Sequence, residues 1–297
     1  MEELIPAKFI VRRALGENDL LVLNADDPGC VEYAASLDQQ LAWFSLDADH
    51  PLVKKTVADR GLACWLEDGA LVASQGGSTR TVTQVGQVPA SRGGAARYNI
   101  GNALAATAIA IAIGISDDAI RAGLTAFKGD ESDNPGRGNW FEHEISTPEG
   151  SGTVRMLVDF AHNEHGMLAL ADAVRYMTAD RVVLLMGQAG DRLDKDIGDL
   201  VRAACKMQPA RLLVAELPGY ERGRKPFEVQ AMIRRDAIEA GVPENAIELF
   251  ESPVSATESA LEHARPGDLL VLLALTQRAE TLELIHRFIK KSDADDG

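Results

Sequence analysis

Short apolar segments alternate with helical stretches throughout the second half of the chain. The predicted strands cover residues 154–158, 181–186, 211–215 and 268–273, and the predicted helices between them cover 166–177, 194–206, 226–240 and 255–264. Strands that alternate with helices form a mostly parallel sheet with helices on both faces. This pattern predicts an α/β fold.

The first half has a different order of elements, and a polar segment separates it from the second. Its predicted strands and hairpin cover residues 20–23, 40–46, 63–74 and 79–85, and its predicted helices cover the opening residues to about Leu15, 99–114 and 117–127. The segment KGDESDNPGR, residues 128–137, is charged and contains glycine and proline, as linkers do. Because 297 residues can build two cores, we predict two domains, residues 1–129 and 130–297.

Charge and cysteine content exclude several classes of protein. Lys and Arg number 30 against 45 Asp and Glu, a formal net charge of −15, which argues against nucleic acid or an anionic membrane as a partner. Cys30, Cys64 and Cys205 are far apart and odd in number, so we expect neither a disulfide framework nor a thiolate zinc site. The opening residues lack the apolar core of a signal peptide, and a cytoplasmic location is expected.

The run VDFAHNEHG, residues 158–166, places polar side chains directly after a predicted strand. Ligands of an open parallel sheet bind beyond the carboxyl ends of its strands, so Asp159 and His162 are candidate site residues. Two other readings stay open. Asp159 can cap the following helix, and Asp159, His162 and His165 can form a metal site, although the position of His165 at a helix start argues against it.

Three further motifs carry polar groups suited to a nucleotide. The loop GQAGDR, residues 187–192, follows a strand and offers backbone N–H groups to a phosphate. Arg137 ends the linker, where its guanidinium suits a phosphate or is simply exposed. Asn99 and Asn102 begin an apolar helix, where such a side chain reads an adenine edge or caps the helix; we expect Asn99 to be a cap.

Taken in order, the motifs resemble the Mur ligase superfamily, in particular the Mur-ligase-like region of cyanophycin synthetases. They are FSLD (residues 44–47), LEDG (66–69), GGAARYNIGNA (93–103) and DNPGRGNWF (133–141). The resemblance implies the latter part of a central ATP-binding domain, followed by a Rossmann-like C-terminal domain that binds the incoming amino acid. It also implies ATP and Mg²⁺ as cofactors and an amino acid and a carboxylate as substrates, joined through an acyl-phosphate.

The resemblance assigns roles to residues that match the motifs of the family. It implies that Lys8 is carbamylated and helps to hold Mg²⁺, that Asn102 contacts adenine, and that Arg137 lies near the phosphates and ribose. Asp159 and His162 match the DYAHNP element of the family, in which the Asp helps to bind the nucleotide. Asp191 and Arg192 match its GDR-like loop and are likewise predicted to bind the nucleotide. The residues predicted to be catalytic are Lys8, Arg137, Asp159 and His162.

The sequence also departs from the family. It contains no G-x-x-x-x-G-K-[ST] phosphate loop, Tyr98 replaces a histidine, Glu164 replaces a proline, and LALTQR (273–278) replaces a GKGHE-like end, which argues against a peptidoglycan substrate. The chain alone is therefore expected to be inactive, with a P-loop-bearing polypeptide as a possible partner. The alternative is a non-catalytic nucleotide-binding module or a subunit of a split ligase.

Overall fold

The computed structural model of this protein describes residues 9–148 and 150–295, and it describes side chains as far as residue 290. The chain divides into two compact units, Met1–Lys128 and Gly129–Gly297. Each unit contains one β-sheet with its own apolar core. Within the described residues, no helix is long and apolar enough to cross a bilayer.

The first unit contains a five-stranded sheet. Its strands are β1 (Leu20–Asn24), β2 (Gln40–Ser45), β3 (Ala63–Glu67), β4 (Ala70–Gln75) and β5 (Ser78–Gln84). Its helices are α1 (Pro28–Ala34), α2 (Pro51–Ala58), α3 (Arg97–Ala112) and α4 (Asp117–Ala126), with 3₁₀ helices at Phe9–Ala14, Val85–Gln87 and Pro89–Gly94. The strands lie side by side in chain order; β1, β2 and β3 are parallel, whereas β4 and β5 join by antiparallel pairing.

A two-residue turn joins β3 to β4. Asp68 and Gly69 have φ angles of 47° and 73°, and two consecutive positive φ angles are what a type I′ hairpin turn requires. Glu67 and Ala70 pair directly across this turn. The hairpin predicted over residues 63–74 is confirmed, and its turn falls within Glu67-Asp68-Gly69, the residues whose composition predicts it.

The NADDP turn connects the carboxyl ends of β1 and β2. Asp26 accepts hydrogen bonds from the Ser45 hydroxyl at 2.5 Å and from the Leu46 N–H at 2.7 Å. Asp27 accepts one from the Cys30 N–H at 3.0 Å and so caps α1, which begins with a proline. The composition of NADDP, residues 24–28, predicts a turn, and the turn is present, but it continues into a helix that was not predicted.

The second unit contains a six-stranded sheet. Its strands are β6 (Asn139–Thr147), β7 (Gly150–Asp159), β8 (Arg181–Met186), β9 (Arg211–Ala215), β10 (Ile247–Phe250) and β11 (Asp268–Leu273). Its helices are α5 (Glu164–Arg175), α6 (Asp194–Cys205), α7 (Glu228–Glu239), α8 (Pro253–Glu262) and α9 (Arg278–Asp295), with a 3₁₀ helix at Glu244–Ala246. The strand order is β10-β9-β8-β11-β7-β6, and only the β6–β7 pair is antiparallel. This architecture confirms the predicted α/β fold with a mostly parallel sheet.

Helices cover both faces of this second sheet. Apolar side chains of α5, α6 and α7 pack on one face, and those of α8 and α9 pack on the other. The central strands are therefore buried on both sides, and every residue of β11 is buried. Strands in such an environment consist almost entirely of apolar residues.

The prediction was incomplete at the edges of the second sheet and at both ends of the described chain. Neither β6 nor β10 was predicted as a strand, and α2 and α9 were not predicted as helices. The opening helix is described only over Phe9–Ala14, where it is a 3₁₀ helix. Edge strands have one partner and one exposed side, so their sequences carry a weaker apolar signal than those of central strands.

Candidate functional site

The carboxyl ends of five parallel strands meet at one edge of the second sheet. These strands are β7, β8, β9, β10 and β11, and Asp159 at the end of β7 lies opposite Leu273 at the end of β11. In sheets of this kind the crevice beyond the carboxyl ends is where ligands bind. The polar residues that follow these strands therefore define the candidate site.

The segment after β7 is organised by its own side chains. The Asp159 carboxylate accepts the Ala161 N–H at 2.8 Å, and Asn163 caps α5 by accepting the Gly166 N–H at 2.9 Å. His162 Nδ1 lies 2.9 Å from the Phe160 carbonyl oxygen. Because a carbonyl oxygen only accepts, Nδ1 carries the hydrogen, and in the neutral ring this leaves Nε2 as an acceptor. Asp159 thus orders the loop and does not cap the helix.

Burial raises the pKa of the Asp159 carboxyl group. Hydrogen bonds from the N–H groups of Ala161, Phe160 and Gly138 act in the opposite direction, as does the positive charge of Arg137. The balance leaves the pKa above the usual range for aspartate. A carboxylate that is costly to ionise gains from any ligand that donates hydrogen bonds to it.

We expect Arg137→Met to raise the pKa of Asp159 further, because it removes a positive charge that favours the ionised form. The ¹³C chemical shift of the Asp159 carboxyl carbon, followed over a pH titration, measures the pKa of Asp159 in the wild type and in the variant. A carboxyl whose folded pKa is raised contributes stability that is present at low pH and is lost as the pH rises through the folded pKa. Asp159→Asn is accordingly expected to be no less stable than wild type at pH 7.

Arg175→Met is the control for this titration. Arg175 lies exposed in the last turn of α5, at the opposite edge of the sheet, and its loss is expected to leave the titration unchanged. An Asp159 pKa at or below the ordinary value, or one that Arg137→Met does not change, would contradict the expectation.

Two guanidinium groups contact one aromatic ring at the end of β7. The Cζ atom of Arg137 lies 4.7 Å from the centre of the Phe160 ring, and that of Arg278 lies 5.1 Å from it. Arg278 also donates a hydrogen bond to the Pro135 carbonyl at 3.1 Å. Gly136 permits this approach, because a Cβ there would overlap the Arg278 side chain and its φ is +73°. Cations held against an aromatic face are positioned to receive an anion.

The loop after β8 fits closely against its neighbours because two of its residues are glycines. A Cβ on Gly187 would lie 2.6 Å from the Ala215 carbonyl oxygen, and a Cβ on Gly190 would overlap the carbonyl oxygen of Glu221. Gln188 is buried and donates through Nε2 to the His162 carbonyl at 2.9 Å. This hydrogen bond connects the loops that follow β7 and β8.

Arg224 holds the same loop from the opposite side. Its guanidinium donates to the carbonyl oxygens of Gly190 at 2.9 Å and Arg192 at 2.8 Å, and it pairs with Asp194 at 2.7 Å. Such a set of hydrogen bonds fixes the backbone of the loop, in which the Asp191 and Arg192 side chains are exposed.

A cavity of about 410 Å³ opens beyond the carboxyl ends of β9 and β11. It is lined by residues that follow β9 and β11: Pro218, Tyr220, Leu275, Thr276, Gln277 and Arg278. The Thr276 hydroxyl oxygen is buried and has no hydrogen-bond partner among the described residues. Leaving a buried hydroxyl unpaired costs about 1–3 kcal/mol. A second cavity, of about 630 Å³, lies between α9 and the segment that contains Glu131 and Pro135.

The structure brings some of the predicted site residues together. Arg137 lies beside Asp159 and contacts Phe160, whose ring centre is 5.0 Å from that of His162. Asp191 forms an ion pair with Arg222 at 2.5 Å, and Arg192 is exposed. Lys8 lies outside the described residues. The roles of all these residues in binding or catalysis stay predictions.

Asn102 lies in the first unit and contacts its neighbour on α3. Its Nδ2 donates to Asn99 Oδ1 at 3.2 Å, and Asn99 Nδ2 donates to the Ala90 carbonyl at 2.8 Å. The expectation that Asn99 caps the helix is wrong, because α3 begins earlier and Ala96 occupies the cap position. Asn99 instead fixes the preceding 3₁₀ segment, and the Asn102 side chain is exposed.

Three residues of this site were not among the predicted ones. Arg278 and Arg224 reach it from distant parts of the sequence, and Gln188 acts through a contact with another loop. Only one feature of the sequence could have pointed to Arg278. It lies a few residues after the last strand, where polar residues follow an apolar run. Among the described residues, no three His, Cys, Asp or Glu side chains converge in a way that could hold a metal ion.

Residues 145–274 match the family model described as Mur ligase, glutamate ligase domain. This segment is similar to the C-terminal domain of Mur ligases, and the predicted resemblance to the Mur ligase superfamily is confirmed. Over 273 residues the chain is 29% identical to the cyanophycin synthetase of Trichormus variabilis, covering 92% of this chain and 29% of that protein. It is 28% identical over 274 residues to the UDP-N-acetylmuramoyl-L-alanyl-D-glutamate–2,6-diaminopimelate ligase of Gloeobacter violaceus. This match covers 92% of the present chain and 49% of that ligase.

The chain thus spans about three tenths of the length of the cyanophycin synthetases that it matches and about half of the Mur ligase. Solved structures agree with the fold. A murein peptide ligase from Psychrobacter arcticus matches with a TM-score of 0.59 at 14% identity, covering 92% of this chain and 52% of that one. FolC of E. coli in complex with ADP matches with a TM-score of 0.56 at 19% identity, covering 87% and 51%.

Proposed function

We propose that the chain is a portion of an ATP-dependent ligase that joins a carboxylate to an amine. In this proposal residues 1–129 are the latter part of the central ATP-binding domain, and residues 130–297 are the C-terminal Rossmann-like domain. The observation that carries the proposal is the pair of guanidinium groups, Arg137 and Arg278, held on Phe160 beside Asp159. They lie at the carboxyl edge of a sheet whose sequence matches the Mur ligase domain.

The residues at this edge fit a polyphosphate. The Arg137 guanidinium makes no hydrogen bond within the described part of the chain, so its N–H groups are available for phosphate oxygens. Asp159 is an acceptor for a hydroxyl group, and Nε2 of His162 is a second acceptor. ATP, when bound, would supply the phosphoryl group that turns a carboxylate into an acyl-phosphate ready for attack by the amine.

Each of these side chains has a distinct part in the proposed site. Arg137 binds and orients the phosphate oxygens. Its positive charge stabilises the negative charge that develops on these oxygens during phosphoryl transfer. Asp159 orients the ribose or the incoming amine by accepting a hydrogen bond. Lys8, the predicted magnesium-binding residue, lies outside the described residues, and no cluster that could hold a metal ion is found among those described.

Titration of ADP into the chain tests the proposal. We expect Arg137→Met to weaken ADP binding about tenfold or more, because a charge-assisted hydrogen bond is worth about 1.5–3 kcal/mol. Two-dimensional ¹H–¹⁵N NMR measures the affinity for ADP and locates the bound nucleotide. We expect ADP to shift the amide signals of Phe160 and His162. Arg175→Met is the matched control and is expected to bind ADP like wild type.

An unchanged ADP affinity in Arg137→Met, or shifts confined to residues far from Phe160, would count against the proposal. The same samples, supplied with ATP, Mg²⁺ and amino acids, are expected to release no phosphate, because the sequence contains no G-x-x-x-x-G-K-[ST] loop. Binding without turnover would also suit a non-catalytic nucleotide-binding module. Co-purification with a P-loop-bearing polypeptide would favour a split ligase.

A further inference from the structure

The Gln188 side chain is buried and joins the loops that follow β8 and β7. Its Nε2 donates to the His162 carbonyl oxygen at 2.9 Å, and its Oε1 accepts the Ala189 N–H at 2.9 Å. The side chain is 7% exposed. Both ends of the amide group are used, so a single orientation of the amide satisfies both partners.

The loop that carries Gln188 is fixed to other parts of the second unit. Gly187 lies so close to the Ala215 carbonyl oxygen that a Cβ would be 2.6 Å from it. Arg224 donates to the carbonyl oxygens of Gly190 and Arg192 at 2.9 Å and 2.8 Å. A side chain on this loop is therefore a firm support for whatever it contacts.

His162 lies in a short segment without regular secondary structure, residues 160–163, between β7 and α5. Its ring contacts belong to the same segment, because Nδ1 donates to the Phe160 carbonyl and the two rings are 5.0 Å apart. Such contacts move together with the segment. The hydrogen bond from Gln188, in contrast, fixes the His162 backbone to a different loop.

We propose that Gln188 is a positioning residue, whose hydrogen bond holds His162 and the acceptor on its ring in place for a nucleotide. The inference rests on the proposed function in one respect, that His162 faces the nucleotide. Gln188 acts through His162 and not by contact with the ligand. A group that is already held in place loses less entropy when a ligand binds, so loss of this hydrogen bond weakens binding without removing a ligand contact.

Gln188→Met in the full chain tests this role. Methionine is unbranched and of similar length, but it has neither the donor nor the acceptor of the amide. Without nucleotide, we expect the ¹H–¹³C NMR signals of the His162 ring to shift and broaden. With ADP, we expect the affinity to fall about three- to tenfold, the effect of one hydrogen bond.

Gln230→Met is the matched control. Gln230 is 6% exposed, and its Nε2 donates to the carbonyl oxygens of Val214 and Phe250, both at 2.9 Å. These acceptors lie on β9 and β10 and not in the loop after β7. The control removes hydrogen bonds of the same kind from an equally buried glutamine. We expect it to lower stability but to keep the His162 signals and the ADP affinity of wild type.

Gln188→Glu isolates the hydrogen bond between the two loops. An ionised glutamate accepts the Ala189 N–H but has no hydrogen for the His162 carbonyl, whereas the protonated acid has one. Burial favours the protonated form. We therefore expect this variant to bind ADP more weakly than wild type at pH 7 and to approach the wild-type affinity as the pH falls. Wild type and Gln188→Met, measured at the same pH values, correct for the titration of Asp159 and His162.

Unchanged His162 ring signals in Gln188→Met would overturn the proposal, as would an ADP affinity equal to that of wild type. A loss of ADP affinity in Gln230→Met as large as that in Gln188→Met would also overturn it, because the effect would then follow from stability alone. These outcomes leave the proposed function standing. If wild type binds no ADP, the proposed function fails, and the nucleotide-free His162 signals decide whether Gln188 holds His162.

The spectrum of each variant shows whether the fold is kept. If Gln188→Met lacks the dispersed spectrum of wild type, Gln188→Asn serves instead. Asparagine keeps the amide but is one methylene shorter, so it is expected to lose the hydrogen bond to the His162 carbonyl and to give the same changes in the His162 signals and the ADP affinity.

Discussion

Replacement of Asp268 by alanine is expected to lower the free energy of unfolding of the second unit by about 3 kcal/mol. Asp268 begins β11 and is 1% exposed. Its carboxylate accepts from Arg181 Nε at 2.8 Å and Nη2 at 2.6 Å, and from the Arg265 N–H at 2.8 Å. Alanine would take this carboxylate away from a largely buried guanidinium, whose Nη2 also donates to the His263 carbonyl at 3.3 Å, and from a backbone N–H. Removing one partner of a buried ion pair costs more than the pair itself gains.

Urea denaturation followed by tryptophan fluorescence measures this loss, because Trp140 is the one tryptophan in residues 129–297 of the sequence. Glu244→Gln is the control. Glu244 pairs with Arg234 at the surface and its side chain is 70% exposed, so its loss is expected to cost less than about 1 kcal/mol. Equal effects of the two substitutions would show that the buried pair contributes no more than an exposed one.

Replacement of Gly190 by alanine is expected to destabilise the second unit by about 2–3 kcal/mol and to displace the loop after β8. The added Cβ would overlap the Glu221 carbonyl oxygen, which is part of the backbone and cannot rotate away. The loop would have to move outward, and the hydrogen bonds from Arg224 to Gly190 and Arg192 would lengthen. Hydrogen exchange of the loop amides, together with thermal melting, measures both effects.

Gly123→Ala is the matched control for this substitution. Gly123 lies within α4, and a Cβ there would meet no atom within 4 Å. Alanine is favoured over glycine inside a helix by about 0.5–1 kcal/mol, so this variant is expected to be slightly more stable than wild type. If Gly190→Ala were as stable as Gly123→Ala and hydrogen exchange in the loop were unchanged, the expectation would be wrong. The backbone around Gly190 would then accommodate a Cβ at no measurable cost.

The central strands of the second sheet were predicted with the bounds that the structure shows. Residues 181–186, 211–215 and 268–273 form β8, β9 and β11. Burial on both faces requires continuous apolar runs, and such runs are visible in a single sequence. In contrast, β10 has four residues and includes Glu248, which pairs with Arg211 at the sheet edge. An apolar pattern of that length cannot be distinguished from a loop.

Other elements did carry a signal in the sequence. In α9, the residues Leu282, Ile285, Phe288 and Ile289 recur at helical spacing and pack against the second sheet. The start of α1 has both a capping aspartate and a proline at its first position, the combination expected of a helix start. These two helices could have been predicted, whereas the edge strands could not.

The same distinction applies to the candidate site, where residues placed by local sequence could be predicted and residues placed by long-range contacts could not. Asp159 and His162 could be identified because they directly follow an apolar strand, and local sequence determines their position. The contact between Arg278 and Phe160 joins residues on different strand ends, and the hydrogen bonds of Arg224 to the Gly190 loop join different segments again. Contacts of this kind depend on how the strands are ordered in the sheet, which the sequence pattern alone does not reveal.

The position of β11 has a consequence for how the protein is made. This strand is the last of the second sheet in the sequence, yet it lies between β8 and β7 near the centre. A ribosome adds about 5–20 residues per second, so several seconds pass between the synthesis of β8 and that of β11. Throughout this time the position between β7 and β8 in the sheet is empty. During that interval their inner edges are open to other chains. The unit closes its sheet only after β11 leaves the exit tunnel, and we expect it to depend on chaperones until then.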